Sequence, residues 1–259
     1  MTGRIKSGWV WYTKRLGRTI LHPQYITNSY QYEAIIEAKR RSRKTMRLVD
    51  IGCGRMPYRG EIEPLIAEYI GVDHPDISKL YKSEHPPEVL ADAHNLPFKN
   101  NSFDITLMLQ MIEYLSDPQK AIREAFRVLK KRGTVIATVP FLYAIHDIPY
   151  DRGRYTKSML SDWFTSAGFF RVSLVSQGIF IESWFQMLNV WLFKMIERFV
   201  LQSKKDVIIP KLILIFLILM TPPIIIVTNS VVFLYRQLVP VQKRTSDYFP
   251  LNYLVIAIK

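Results

Sequence analysis

Short apolar runs alternate with amphipathic segments through residues 30–175 of the chain. The apolar runs are predicted strands, at Arg47–Ile51, Tyr69–Val72, 105–112, 134–141 and Phe170–Val175. The amphipathic segments are predicted helices, at 30–44, 61–69, 117–132 and 156–169. Strands that alternate with helices form parallel sheets covered on both faces. The pattern therefore predicts an α/β fold.

The last third of the chain is more apolar. Residues 179–200 carry polar positions at roughly helical spacing, and the 24 residues of 212–235 include no charge. Such a run exceeds the roughly 20 residues that cross a bilayer. Because Pro222-Pro223 interrupts it, we predict a re-entrant helical hairpin that turns at the prolines, with arms Val207–Thr221 and Ile224–Leu238. Each arm would reach only about 22 Å, less than the hydrocarbon core.

Composition narrows the class of protein. An apolar content of 49% excludes a disordered tail, and one cysteine excludes a disulfide scaffold and fits a reducing compartment. The net charge is +13, and residues 1–47 hold eleven Lys/Arg against two Glu. This excess indicates an anionic partner. Trp9, Trp11 and Tyr12, set among these basic residues, fit a segment at a membrane interface.

The first predicted strand ends in Asp50-Ile51-Gly52-Cys53-Gly54. Glycines let the backbone approach a ligand, and the helix that follows offers free N–H donors. Asp73 ends the next strand, where a carboxylate can accept both hydrogens of a ribose diol. Arg55-Met56-Pro57 removes the third glycine of the dinucleotide motif, which disfavours a pyrophosphate site. A plain tight turn at the glycines, and helix capping by Asp73 and Asp92, remain alternatives.

The ordered set of motifs resembles the class I S-adenosylmethionine-dependent methyltransferases, of the type 11 kind. The matching segments are LVDIGCG, Asp73, LADAHNLPF, SFDITLMLQMIEYLSDP and AIREAFRVLKKRGTVIATVP, within about Arg47–Phe169. The resemblance implies a Rossmann-like doubly wound sheet of about seven strands. Its last strand, YLVIAIK, would lie antiparallel beside the sixth, FRVSLV. The hydrophobic helical segment would then be an insertion between the last two strands.

The resemblance also implies which residues hold S-adenosylmethionine. Asp50, Gly52 and Gly54 would bind its methionine end, with Cys53 as a small packing residue of the same loop, Asp73 its ribose, Asp92 and Ala93 its adenine edge, and Gln110 and Met111 would form the floor beneath the sulfonium. Many relatives place His after the Glu that matches Glu113, whereas this chain has Tyr114. The substitution weakens any proposal of a base at that position.

The segment after the fifth strand, FLYAIHDIPYDRGRYT, is expected to overhang the cofactor edge. Its catalytic candidates are His146, Asp151, Arg154 and Tyr155, with His146 as the predicted general base for an alcohol acceptor. The H-x-x-P-x-D-x-x-R-Y-T pattern resembles methyltransferases of surface-polysaccharide and lipid-linked sugar biosynthesis. In the alternative, His146 and Asp151 only order the loop. No metal site is predicted from five scattered His and one Cys.

The predicted organisation is a basic N-terminal segment (1–46), a methyltransferase core (47–177), a hydrophobic insertion that forms a membrane hairpin (178–250) and the final core strand (251–259). Six basic residues beside the insertion would meet anionic headgroups and keep the core on the cytoplasmic side: Lys204, Lys205, Lys211, Arg236, Lys243 and Arg244. We expect methyl transfer to a hydroxyl of a lipid, lipid-linked or small-molecule acceptor at an anionic membrane surface.

Three other hypotheses remain open on the sequence alone. A soluble small-molecule or RNA methyltransferase would use the basic N-terminal segment to bind phosphates, although the position of the charge disfavours nucleic acid. A non-catalytic scaffold would keep the cofactor fold without the reaction. The hydrophobic insertion could instead be a soluble lid or a homodimer interface.

Overall fold

The computed structural model describes residues 16–79, 86–202, 211–240 and 246–259, without the side chains of 197–202 and 211–214. The chain divides into two compact units. The sheet unit comprises Gln31–Phe141, Ile145–Ser176 and Asn252–Lys259, and the helical unit comprises Met1–Tyr30, Leu142–Ala144 and Gln177–Leu251. The predicted N-terminal segment 1–46 is therefore not one unit, because the division falls after Tyr30, inside a helix.

Seven strands form one sheet in the order β3-β2-β1-β4-β5-β7-β6. They are β1 (Arg47–Ile51), β2 (Glu68–Asp73), β3 (Val89–Leu90), β4 (Phe103–Leu109), β5 (Leu129–Pro140), β6 (Arg171–Gln177) and β7 (Asn252–Ile258). The first five strands are parallel, and β7 pairs antiparallel with β5. The predicted Rossmann-like sheet of about seven strands is confirmed, with the apolar helices inserted between β6 and β7.

Helices cover both faces of the sheet. The sequence of helices is α1 (Tyr25–Arg41), α2 (Arg59–Ile62), α3 (Pro75–Ser78), α4 (Pro118–Val128) and α5 (Lys157–Ser166), with 3₁₀ turns at Glu63–Leu65 and Ile112–Tyr114. Alternate side chains of β1 pack on opposite faces of the sheet. Val49 lies in the apolar cluster that includes Phe103, and Leu48 lies in the cluster that includes Ile35. The core is thus two apolar layers separated by the strands.

Two predicted helices are shorter than their sequence patterns suggested. The helix predicted over 61–69 ends at Leu65, because Tyr69 pairs with Leu48 in the parallel ladder of β2 and β1. The helix predicted to run to residue 132 ends at Val128, because Leu129 already pairs with Phe103 in β4. In both places strand pairing prevails over local helix propensity.

Two long antiparallel helices, α6 (Phe180–Gln202) and α7 (Lys211–Leu238), dominate the helical unit. The predicted break at Pro222-Pro223 is wrong, since α7 continues through both prolines for 28 residues. Proline's fixed φ is helical, and the pair removes only the two N–H donors to the carbonyls four residues earlier. The link between α6 and α7, residues 203–210, lies outside the described residues.

Arg236 does not extend from the helical unit toward headgroups, as the sequence suggested. Its Nε donates to Glu182 Oε1 at 2.7 Å, its guanidinium lies 4.4 Å from the ring centre of Tyr30, and its side chain is 11% exposed. The sequence pattern could not reveal a partner 54 residues away. The other residues proposed for membrane contact have no described side chain: Trp9, Trp11, Tyr12, Lys204, Lys205, Lys211, Lys243 and Arg244.

Candidate active site

The carboxyl ends of β1 and β2 hold the glycine loop and Asp73 together. The backbone N–H groups of Gly52 and Cys53 donate to Val72 O at 2.8 and 3.1 Å, and Gly54 N–H donates to Asp73 Oδ2 at 3.0 Å. Asp73 Oδ1 accepts a second hydrogen bond from His74 N–H at 2.7 Å. The predicted ribose-binding carboxylate thus lies directly beside the loop, although it is also a structural acceptor.

The two glycines of the loop are needed for different reasons. Both have left-handed backbones, with φ of +69° at Gly52 and +54° at Gly54. A Cβ on Gly52 would lie 2.7 Å from Met111 Cβ, whereas a Cβ on Gly54 would have no atom within 4 Å. Gly52 therefore lets the floor residue Met111 approach, and Gly54 leaves its backbone open to a ligand.

Asp50 and Cys53 face inward. Asp50 Oδ2 accepts a hydrogen bond from the Tyr69 hydroxyl at 2.5 Å, and burial raises the pKa of Asp50 to about 7. Burial also raises the pKa of the Cys53 thiol well above its usual range. A protonated, buried thiol is a poor nucleophile, which supports a packing role for Cys53.

The predicted adenine-side residues follow β3. Ala91 N–H donates to Asp73 O at 3.0 Å, which brings their loop to the end of β2. Asp92 Oδ1 accepts from His94 N–H at 2.9 Å and contacts His94 Nδ1 at 2.5 Å. Partial burial opposes ionisation, but these bonds hold the pKa of Asp92 below its usual range. Ala93 is buried, and the cap residues of the adjacent helices are His74 and Asp117, not Asp73 or Asp92.

Gln110 and Met111 follow β4. Gln110 has a left-handed backbone (φ +50°), and its Nε2 donates to Asn252 Oδ1 at 2.9 Å. This bond connects the ends of β4 and β7. Met111 is buried against Gly52. The structure therefore brings Gly52, Gly54, Asp73 and Met111 into one group, with Gln110 at its border.

The segment after β5 is fastened to the turn after β4. Arg152 and Gly153 N–H donate to the backbone carbonyl of Glu113 at 2.9 and 3.2 Å. The buried Asp151 carboxylate accepts two hydrogen bonds from the Arg154 guanidinium, at 2.6 and 2.8 Å. Arg154 thereby lowers the pKa of Asp151 to about 2, so Asp151 is ionised at neutral pH.

The ring of His146 lies between Asp151 and Tyr114. His146 Nδ1 lies 3.1 Å from Asp151 Oδ2, and Nε2 lies 2.6 Å from the Tyr114 hydroxyl, which is also 3.1 Å from Asp147 Oδ2. A carboxylate at Nδ1 selects the tautomer with its proton there, which leaves Nε2 as an acceptor. Tyr114, which replaces the expected histidine in sequence, thus contacts a histidine supplied by another loop.

Glu113 precedes Tyr114 in the turn after β4, and Tyr155 follows Arg154 in the segment after β5. Glu113 is fully buried, and neither of its carboxylate oxygens has a hydrogen-bond partner among the described residues. Burial raises the pKa of Glu113 to about 8, so the neutral acid prevails at pH 7. The Tyr155 ring packs on Trp163 with centres 4.7 Å apart. The sequence does not reveal Glu113 as a site residue, because nothing in its motif distinguishes a buried acid from an exposed one.

The family comparison matches residues 49–137 to a methyltransferase domain. This part of the chain is a methyltransferase domain. The match supports S-adenosylmethionine as the cofactor, as the motifs indicated. The chain is 33% identical to an uncharacterized methyltransferase, YcgJ, of Bacillus subtilis over 40% of this chain and 42% of that protein.

Two further proteins match more of the chain, at lower sequence identity. A chloroplastic 2-methyl-6-phytyl-1,4-hydroquinone methyltransferase of Oryza sativa is 28% identical over 60% of this chain and 47% of that protein. The chain thus spans about half the length, or less, of these relatives. The crystal structure of the [4+2]-cyclase SpnF shares the fold, with a TM-score of 0.53, 18% identity and coverage of 88% of this chain and 80% of that one. Because that protein is named for a cyclisation, fold alone does not decide the reaction.

The residues of the methyltransferase domain fit S-adenosylmethionine. Open space beside Gly54 leaves its backbone accessible to the methionine end, and Asp73 holds a carboxylate, the acceptor that a ribose diol requires, beside the same loop. Asp92 keeps a half-exposed carboxylate at the adjoining edge. Among the described residues, no group of three His, Cys, Asp or Glu side chains is arranged to hold a metal ion.

Proposed function

We propose that this chain transfers the methyl group of S-adenosylmethionine to a hydroxyl of a lipid or lipid-linked sugar at a membrane, with the methyltransferase domain on the cytoplasmic side. The observation that supports this choice of acceptor is the arrangement of side chains on α6 and α7, which is the reverse of that in a water-soluble protein. These helices bury polar side chains, partly between them and partly against residues 20–27 and Phe249, and expose apolar ones.

The interior of the helix pair is polar. Side chains at most 7% exposed include Glu182, Ser183, Gln186, Asn189, Thr221, Thr228 and Asn229. Asn189 Nδ2 donates to Asn229 Oδ1 at 3.0 Å, and Thr228 Oγ1 donates to Asn189 Oδ1 at 2.9 Å. Hydrogen bonds of this kind join helices where water is absent. A water-soluble helix pair would ordinarily place these side chains outside.

The exterior of the helix pair is apolar. Trp184 and Trp191 on α6 are 50% and 56% exposed, and Leu219, Val227 and Leu234 on α7 are 58–64% exposed. Ile215–Leu238 has 24 residues with a mean hydropathy of 2.1, so its length and composition suit a membrane span. At 1.5 Å per residue it reaches about 36 Å, enough to cross a core of roughly 30 Å. An apolar exterior of this extent supports contact with lipid.

The relatives support a lipid acceptor. The rice relative is named for 2-methyl-6-phytyl-1,4-hydroquinone, a molecule with a long hydrocarbon tail. An acceptor of that class would enter the methyltransferase domain from a membrane. The H-x-x-P-x-D-x-x-R-Y-T segment that includes His146 adds support for a lipid-linked sugar as the acceptor.

The loop residues give the reaction its base. When bound, S-adenosylmethionine supplies an electrophilic methyl group. His146 Nε2 accepts the proton of the acceptor hydroxyl, and the ionised Asp151 stabilises the resulting imidazolium through Nδ1–H. Arg154 fixes Asp151 with two hydrogen bonds, so Arg154 positions the base rather than contacting the acceptor. For this transfer the Tyr114 hydroxyl must yield its place at Nε2 to the acceptor.

The experiment that tests this function is transfer of labelled methyl from S-adenosylmethionine to a total lipid extract and to a soluble extract. We expect label in lipid with wild type, and a loss of about 100-fold or more with His146→Ala. Ile148→Ala, an exposed change in the same loop, is the matched control and should retain activity. Label only in soluble metabolites or RNA would overturn the lipid acceptor, and no label in either extract would support the scaffold hypothesis.

A further inference from the structure

A basic cleft opens at the amino edge of the sheet, the edge opposite the glycine loop. Its cavity has a volume of about 640 Å³. The lining residues come from the end of α1, the start of β4 and the start of β5, and the five cations among them are Arg40, Arg41, Arg43, Lys131 and Arg132. This cleft contains none of the residues assigned to methyl transfer.

The carboxylates near the cleft do not neutralise these cations. Glu37 is shared by Arg40 and Arg41, whose Nε atoms lie 2.9 and 2.6 Å from its oxygens. Asp104 Oδ2, which lines the cleft, is already bound by Lys130 Nζ at 2.8 Å and by a backbone N–H. Among the residues that line the cleft, one carboxylate, Asp104, faces five cations.

Arg43 presents a guanidinium with donors to spare. Its Nη1 donates to the backbone carbonyls of Arg40 and Ser42, at 3.0 and 2.8 Å. These bonds fix the direction of the side chain without cancelling its charge. The fixed fork of a guanidinium matches the oxygens of a phosphate.

A bulge in β5 adds the other two cations. Leu129 pairs with Phe103 and Thr134 pairs with Ile105, so the four residues 130–133 of β5 lie opposite the single residue Asp104 of β4. Within this bulge Arg132 has φ +66°, a left-handed conformation that arginine rarely adopts. Neither Lys131 nor Arg132 forms an ion pair within the described residues. The strand thus holds a strained residue at a place where two cations line a cavity.

We propose that this cleft binds a phosphate-bearing ligand. Its volume is that of a small-molecule site, its cations recognise the phosphate, and the partly buried Met46 offers apolar surface to the rest of the ligand. The same chemistry occurs in a soluble phosphate ester and in an anionic phospholipid headgroup. The site goes beyond the proposed methyl transfer, since it uses separate residues on the opposite edge of the sheet.

The first test is calorimetric titration of inorganic pyrophosphate into the purified full chain in neutral detergent. We expect saturable binding that weakens at least about tenfold in Lys131→Ala/Arg132→Ala. Lys99→Ala/Lys120→Ala removes the same charge from exposed positions outside the cleft and should bind as wild type does. Binding of S-adenosylmethionine checks the fold of each variant, and Arg43→Met replaces the double variant if the bulge does not tolerate it.

A second measurement separates the two sources of phosphate. Sedimentation with vesicles of phosphatidylcholine alone, or mixed with phosphatidylglycerol, gives the preference for an anionic headgroup. If Lys131→Ala/Arg132→Ala abolishes that preference, the ligand is a phospholipid; if it weakens only pyrophosphate binding, the ligand is a soluble ester. Equal pyrophosphate binding and equal vesicle preference in wild type, cleft variants and control would overturn the proposal.

Discussion

At the residue scale, Gly52 and Gly54 of the glycine loop are required for different reasons. No larger residue fits at Gly52, because its φ of +69° is left-handed and a Cβ there would clash with Met111. Gly54 is constrained only by its φ of +54°, because the space around it is open. A larger residue at Gly54 should therefore cost the protein little stability but should weaken the binding of the cofactor.

Gly54→Ala tests this distinction. We expect the free energy of unfolding to fall by only about 1–2 kcal/mol, the strain of a left-handed alanine, while the affinity for S-adenosylmethionine falls at least about tenfold. Gly60→Ala is the matched control, since it also faces open space but lies in α2 without a positive φ. Calorimetry and thermal unfolding measure the two quantities. Unchanged cofactor affinity in Gly54→Ala would contradict the position of the ligand.

The buried Glu113 predicts a pH-dependent stability. Its pKa is raised to about 8 in the folded protein, against roughly 4.3 in an unfolded chain. The folded state therefore binds the proton more tightly, and stability that is complete below the unfolded pKa is lost as pH rises toward 8. Wild type should lose up to about 1.4 kcal/mol for each pH unit in this window.

Glu113→Gln should remove that dependence, because glutamine does not ionise. Thermal unfolding at pH 6 and pH 9 measures the difference. Glu68→Gln, a change at a half-exposed carboxylate, should leave the pH dependence as in wild type. A Glu113→Gln protein that loses as much stability as wild type over this range would show that Glu113 is ionised at both values.

The contacts that connect Asp151, His146 and Tyr114 predict that substitutions at these three residues change kcat to different degrees. Because Arg154 holds the pKa of Asp151 at about 2, Asp151→Asn should lower kcat at every pH between about 5 and 9 rather than at one end. Tyr114→Phe removes the hydroxyl that occupies Nε2 and must leave it for the transfer, so kcat should stay near or above the wild-type value, in contrast to His146→Ala. Affinity for S-adenosylmethionine should stay constant in all three variants. An Asp151→Asn enzyme with wild-type kcat would assign the pair a purely structural role.

At the scale of elements, the sequence predicts features that local chemistry decides. The strand that ends at Ile51, just before Gly52, and the strand that ends at Asp73 lie where their apolar runs and terminal residues indicated, because both signals are local. The β5 bulge could not be predicted, since the helix-forming segment before Gly133 becomes strand only through pairing with Phe103. Pairing partners depend on the whole fold.

The same limit explains the errors in the hydrophobic helices and in the candidate site. A proline pair usually marks a break, yet α7 passes through Pro222-Pro223. Lone charges beside apolar runs usually lie in solvent, yet Arg236 is buried against Glu182. The positions of Gly54 and Asp73 side by side follow from their motif, whereas the contact of Tyr114 with His146 joins two loops that no local pattern connects.

The pair Glu182–Arg236 predicts strong coupling between α6 and α7. Glu182→Ala should destabilise the protein by roughly 3–5 kcal/mol, because it leaves the Arg236 charge buried without its partner. Glu182→Gln/Arg236→Met removes both charges and should recover most of that loss. Unfolding in detergent micelles measures these values, with the exposed Lys194→Ala as control. A double variant as unstable as Glu182→Ala would mean that the two side chains act independently.

At the scale of the whole molecule, polarity is distributed differently in the two units. The sheet unit has an apolar core and charged helix surfaces, as expected of a fold in water. The helical unit has polar hydrogen bonds inside and large apolar side chains outside, as expected of a fold in lipid. A single value of 49% apolar residues conceals this contrast.

We therefore expect the exposed apolar face of α7 to contact the membrane. Val227→Lys/Leu234→Lys places two charges on side chains that are 60% and 58% exposed. Each lysine costs about 2.5–3.5 kcal/mol in a membrane-centred helix, so we expect the protein to move from the carbonate-washed membrane pellet to the soluble fraction. Because both positions are exposed, affinity for S-adenosylmethionine should not change. Leu90→Lys, an exposed apolar position of the sheet unit, is the control and should stay in the pellet. A wild-type protein that is soluble without detergent, and whose dimers dissociate on Val227→Lys/Leu234→Lys, would instead make this face a contact between two copies of the chain.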